Sequence, residues 1–120
     1  QRVSFSSMGD GQIAFYLSHR ESSAETERVL ERLRELRSAV ARTERARREV
    51  EESISTIHRE QERIRSNLDV LDRDSELYQR YLETMSSQEQ ELEQLQAELR
   101  TARGRENAAR SDLRAYIESL

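Results

Sequence analysis

The sequence predicts an all-α fold: a long antiparallel two-helix coiled-coil hairpin with a short N-terminal β-hairpin arm. Three observations predict it. Apolar residues step by alternating threes and fours along two separate stretches, the spacing of a coiled-coil seam. A short polar break, Asp72-Arg73-Asp74-Ser75, separates those stretches. Read outward from the break, the chain mirrors itself.

The mirror can be tested by arithmetic. In an antiparallel hairpin, the numbers of facing residues total a constant. Setting Leu71 opposite Tyr78 fixes that constant at 149. It then faces Leu68 with Tyr81, Ile64 with Met85, Ile57 with Leu92, Ile54 with Leu95 and Val50 with Leu99. Further from the break come Val40 with Ala109, Leu36 with Leu113, Leu33 with Tyr116 and Val29 with Leu120. The polar exceptions coincide as well: Gln61 meets Gln88, and Thr43 meets Glu106 with Arg47 one layer away. Two unrelated helices would not place their seam defects opposite one another.

These five polar residues are the expected register-setting layers. A buried Gln–Gln layer is hydrogen-bonded only in the correct alignment, so it opposes sliding at some cost in stability. Arg47 is expected to reach Glu106 across the seam, beside the small Ala102. The plainer alternative is that long polar side chains snorkel out of a thin two-stranded core.

Taken in order, residues 1–21 form the expected arm. Val3 and Phe5 alternate with polar residues, Met8-Gly9-Asp10-Gly11 reads as a turn, and Ile13, Phe15 and Leu17 alternate again. Glycine supplies the positive φ of a tight hairpin turn. A lone two-stranded hairpin is marginal in water, so this one is expected to lean on the base of the coil, on a second copy, or on an upstream β-rich domain. Residues 22–120 form the hairpin, with helices at about 23–71 and 75–119 and the turn at 72–75. Ser22 and Glu25 have capping-box spacing, and Asp74 or Ser75 is placed to cap the second helix, with Glu76 in its first turn. Gly104 is the weak point of that helix. A seam over 29–71 predicts a rod roughly 60 Å long, and its seven-residue repeat a left-handed supercoil.

Composition agrees with the pattern. Of 120 residues, 37% are charged and 34% hydrophobic, with three Gly and no Pro, which suits long helices bearing a narrow apolar stripe better than a globular core. No cysteine is present, so there is no disulfide framework and no thiol nucleophile. The longest apolar run, Ile13 to Leu17, is far too short to span a bilayer. The chain opens on Gln1 and is expected to be part of a longer protein, so a targeting segment upstream stays open. No compartment is assigned.

Catalytic constellations are missing. His19 and His58 are far apart, and neither has metal-ligand spacing to another His or to Cys. His58 sits beside the seam residue Ile57 on a charged helix, where a solvated histidine is the plain reading. No glycine lies in a phosphate-cradling loop, and carboxylates on a rod point into water and form no cleft. The expectation is a chain that is not an enzyme, with no cofactor, no metal and no small-molecule substrate.

The surface is uneven. Residues 50–99 carry five arginines against thirteen acids, whereas 29–49 with 100–120 carry twelve against seven. Solvated charge on coil flanks is the ordinary reason for such residues; the functional one is an acidic turn end that meets a basic partner, or rods that pair head-to-tail. Apolar residues off the seam gather at the ends. Val70, Leu77 and Leu82 surround the turn, as a contact patch or as fasteners of the hairpin. Leu30 and Ile117 lie beside the bottom layers, where Ile13, Phe15 and Leu17 are expected to pack. Arg42, Arg45, Arg47 and Arg48 could attract nucleic acid, but interleaved acids and the lack of nearby aromatics disfavour it.

Three segments carry a family likeness: Gln61-Glu62-Arg63-Ile64-Arg65-Ser66-Asn67-Leu68, Ser75-Glu76-Leu77-Tyr78-Gln79-Arg80-Tyr81-Leu82 and Gln88-Glu89-Gln90-Glu91-Leu92. With Ile13-Ala14-Phe15-Tyr16-Leu17-Ser18 and the closing Ala115-Tyr116-Ile117, the chain resembles the C-terminal helical-hairpin region of large uncharacterised bacterial proteins, a family defined only as a domain of unknown function. The resemblance covers nearly the whole chain. It implies a bacterial source and a β-rich portion ahead of the hairpin, and it brings no activity, ligand or catalytic residue. The expected function is a non-enzymatic coiled-coil interaction or spacer module. Its expected partner is a protein or a second copy, with the arm as a route to a homo-oligomer. The alternatives are a regulatory or positioning arm of an enzyme whose catalytic part lies upstream, and a weak nucleic-acid or anionic-surface binder using the basic half.

Overall fold

The computed structural model describes residues 23–120. The expected β-hairpin arm, with Ile13, Phe15 and Leu17, lies outside the described residues. Among the described residues the fold is all-helical: α1 spans Ser23–Leu68 and α2 spans Glu76–Ser119. Both are rich in Ala, Leu, Glu and Arg, strong helix formers, and α2 adds Gln. Arg and Glu spaced three or four apart pair along their surfaces, as Arg32 with Glu35 at 3.1 Å and Arg65 with Glu62 at 2.7 Å. Such exposed pairs contribute only a few tenths of a kcal/mol each, roughly 0.3–0.5, so burial along the seam must hold the helices together.

The chain divides into two compact units. Among the described residues one comprises 23–44 with 104–120, and the other is Arg45–Arg103. In the first, Leu33 is completely buried, and Val29, Leu30, Leu113, Tyr116, Ile117 and Leu120 pack around it. Leu36 and Ala109 are also buried. In the second, Ile54, Ile57, Leu92 and Leu99 form one cluster, flanked by Val50 and Leu95. These six residues are three of the facing pairs expected from the sequence. Nearer the turn, Ile64 is completely buried. This unit is a helical hairpin closed by its own turn.

The turn shows why the helices stop where they do. α1 ends at Leu68, three residues before the periodic pattern does. Val70 N–H donates to Asn67 C=O at 3.2 Å and Leu71 N–H to Leu68 C=O at 3.4 Å, so the last turn tightens to i, i+3 bonding. Leu71 remains half-buried, which is why the apolar spacing continues past the helix end. No described residue has a positive φ, so the reversal needs no glycine.

Ser75 caps α2. Its hydroxyl accepts from Tyr78 N–H at 3.1 Å and donates to Asp72 C=O at 2.7 Å. One side chain therefore satisfies a free amide of the first helical turn and ties the loop to it. Ser75→Ala is expected to lower the unfolding free energy by about 1 kcal/mol. Urea titration followed by circular dichroism would check this, and an unchanged midpoint would mean that the cap is not needed.

Candidate functional site

Within the unit Arg45–Arg103, the polar layer nearest the turn is built differently from its expected form. Gln61 is almost fully buried, 1% exposed. Its Nε2 donates 3.0 Å to Oε1 of Glu89, so its amide is spent on the residue after Gln88. Oε1 of Gln88 is buried and has no hydrogen-bond partner among the described residues. A Gln–Gln bond that uses this oxygen as acceptor is thus replaced by a charge-assisted bond to an exposed carboxylate. The reason is reach: a glutamine amide extends past the facing backbone layer to the flank of the opposite helix.

Other polar seam residues also find partners close by. Thr43 donates its hydroxyl back to its own helix, at 2.8 Å from Ala39 C=O and 2.9 Å from Val40 C=O. Arg47 lies 2.7 Å from Glu51, one turn along α1. Glu106, only 7% exposed, accepts from Arg110, whose Nη2 is 2.9 Å away. The same Nη2 lies 3.3 Å from Oε2 of Glu44 on the opposite helix. Arg110 therefore holds two carboxylates at once, which suits a planar, multiply donating guanidinium. Sequence reasoning passed over Arg110 and Glu89 because both sit one position beside the seam. The available signal was charge: Glu89 adjoins the polar seam residue Gln88, and Arg110 lies one helical turn from Glu106.

At the turn end, Val70 is 83% exposed, Leu77 44% and Leu82 41%. They flank the half-buried Tyr78 and Tyr81, so the apolar face of α2 is wider in its first two turns than a two-stranded seam uses. Tyr81 has a polar role too, its hydroxyl accepting from Asn67 Nδ2 at 3.2 Å. A shallow depression of about 460 Å³ beside the turn is lined by Arg65, Leu68, Asp69, Leu71, Arg73 and Tyr78. Leu30 and Ile117 differ from the turn residues, for they are half-buried against Leu33.

One pair in the unit Arg45–Arg103 shows a clear electrostatic perturbation. Arg63 grips both carboxylate oxygens of Glu60. Hydrogen bonding to Arg63 holds the Glu60 carboxyl below its ordinary value, and the bond to Glu60, helped by Tyr81, raises the Arg63 guanidinium. Because the Glu60 pKa is lowered on folding, its contribution is present at neutral pH and fades as pH falls through that lowered value. Both groups are solvent-exposed, so the contribution is small. His58 is exposed. Among the described residues no group of three or more His, Cys, Asp or Glu is placed to hold a metal ion. No helix among them is long and apolar enough to cross a membrane.

No family model matches the chain, and neither a curated protein nor a solved structure matches it.

Proposed function

We propose that the chain is a non-enzymatic coiled-coil interaction and spacer module of a larger bacterial protein, and that its turn end meets a protein partner. The observation that carries this reading is the exposure of Val70, Leu77 and Leu82 around the turn. Large apolar side chains elsewhere in both described units are buried or half-buried. Exposed apolar residues gathered in one place, with a polar rim, are characteristic of a contact surface. The charge around them selects the partner. Asp69, Asp72, Asp74 and Glu83 are exposed and have no ion pair among the described residues, so a basic, apolar-anchored protein surface fits best.

The test is co-purification with the full-length protein, comparing the intact chain with a deletion of 64–85 and with the combined Val70→Ser, Leu77→Ser and Leu82→Gln variant. The triple variant leaves the buried seam untouched, so it separates recognition from folding. The expected result is that one partner is lost from both variants. Retention of every partner by both would remove the turn end from consideration.

A further inference from the structure

The depression beside the turn combines an apolar floor with unspent charge. Leu68, Leu71 and Tyr78 line it and are all half-buried, and Arg65, Asp69 and Arg73 complete it. Arg65 is held 2.7 Å from Glu62. Asp69 and Arg73 are exposed, and neither side chain has a hydrogen bond or ion pair among the described residues. Asp72 and Asp74, in the same loop, are likewise exposed and unpaired. A second depression, lined by Glu31, Arg34, Glu35, Ser38 and Arg42, differs on both counts. It has no apolar residue, and every side chain lining it already has a partner: Arg34 with Glu31, Arg32 with Glu35 and Arg42 with Ser38.

The depression at the turn is also held in shape before anything enters it. Ser75 N–H donates to Asp72 C=O at 3.0 Å, and the Ser75 hydroxyl joins that carbonyl to the first turn of α2. The Gln79 amide reaches Arg73 C=O at 3.5 Å. A loop tied at both ends loses little freedom on binding, so more of the contact energy appears as affinity.

We propose that this depression seats one aromatic side chain from a short basic segment of a partner protein. The proposal rests on the turn end being a contact surface and specifies what that surface takes. A volume of about 460 Å³ falls among pockets of roughly 300–1,000 Å³ that bury a small ligand, ample for one side chain. The ring packs against Leu68, Leu71 and Tyr78. The unpaired Arg73 guanidinium stacks on an aromatic face, which favours an aromatic anchor over an aliphatic one. The balance of free charge selects the anchor's neighbours. Three carboxylates, those of Asp69, Asp72 and Asp74, stand against the one guanidinium of Arg73. Arginine or lysine beside the anchor is therefore attracted, and aspartate or glutamate is repelled.

The chain contains no tryptophan, so indole fluorescence of an added peptide reports binding without background. The probe is acetyl-Arg-Arg-Trp-Arg-Arg-amide, titrated with the whole chain at low salt. It is expected to bind, and the same peptide with Ala in place of Trp is expected to compete about tenfold less well. Acetyl-Glu-Glu-Trp-Glu-Glu-amide is expected to bind about tenfold more weakly. Asp69→Arg is expected to weaken the basic peptide about tenfold. Glu91→Arg makes the same charge change at an exposed, unpaired position away from the turn, and its effect is expected to be less than about twofold. A basic peptide that does not bind would overturn the proposal, as would equal affinity for the acidic peptide or equal competition by the alanine one. So would a Glu91→Arg effect as large as that of Asp69→Arg, which marks unspecific attraction. Self-association of the chain that Asp69→Arg removes would make a second copy the occupant instead. The two readings fail separately. A partner lost on deletion of 64–85 but kept by Asp69→Arg would leave the turn end a contact surface and strike the anchor site.

Discussion

Replacing Ile64 with alanine is expected to cost about 2–4 kcal/mol of unfolding free energy. Ile64 is completely buried, so the change removes apolar surface from the seam and leaves a cavity that two long helices can only partly close. In a thin two-stranded core each layer is a large share of the total, which makes a single truncation severe. Val70→Ala is the matched control. Val70 is 83% exposed, and its truncation is expected to change stability by less than about 0.5 kcal/mol. Urea unfolding of both variants, followed by helical circular dichroism, measures the contrast. Equal effects at the two positions would show that the apolar periodicity does not mark the buried face.

The second large effect has the opposite sign. Gln61→Leu with Gln88→Leu is expected to raise the unfolding free energy by about 1–3 kcal/mol. The change removes a buried Gln88 oxygen that has no partner among the described residues and replaces the polar layer with apolar contact. Glu89 loses the amide of Gln61, but it is exposed and water can take over. Gln61→Leu alone is expected to gain less, because the Gln88 oxygen stays buried. The stabilised double variant should also hold its alignment less strictly, since a Leu layer accepts any apolar neighbour where a polar layer does not. A double variant less stable than the parent would mean that the layer contributes net stability through bonds that leucine cannot replace.

Much of this was legible in the sequence because a seam is a periodic object. Leu33, Leu36, Ile54, Ile57, Ile64, Leu92 and Leu99 all fall on the alternating spacing, and all are buried. Gln61 was legible as an interruption of the same spacing. Its true acceptor was not, because arithmetic on residue numbers aligns backbone layers, whereas a glutamine side chain spans more than one. The end of α1 was misplaced for a related reason. Leu71 keeps the apolar spacing and stays half-buried, so periodicity alone could not reveal that the backbone had already tightened after Leu68. Sequence left the cap open between Asp74 and Ser75; the hydroxyl contacts of Ser75 decide it. The exposure of Val70, Leu77 and Leu82 followed from their place off the seam, but it was equally compatible with fastening the hairpin.

The alignment of the hairpin is the claim on which the rest depends, and disulfide trapping tests it most directly. The chain has no cysteine, so introduced pairs report without interference. Ile57→Cys with Leu92→Cys is expected to cross-link rapidly within one molecule, because the two are the facing pair in the alignment, whereas Leu99 belongs to the same buried cluster but to a layer one heptad away. Ile57→Cys with Leu99→Cys, one heptad away, is expected to stay reduced under the same conditions. Comparable cross-linking of the two pairs, or links formed only between molecules, would contradict a single fixed alignment.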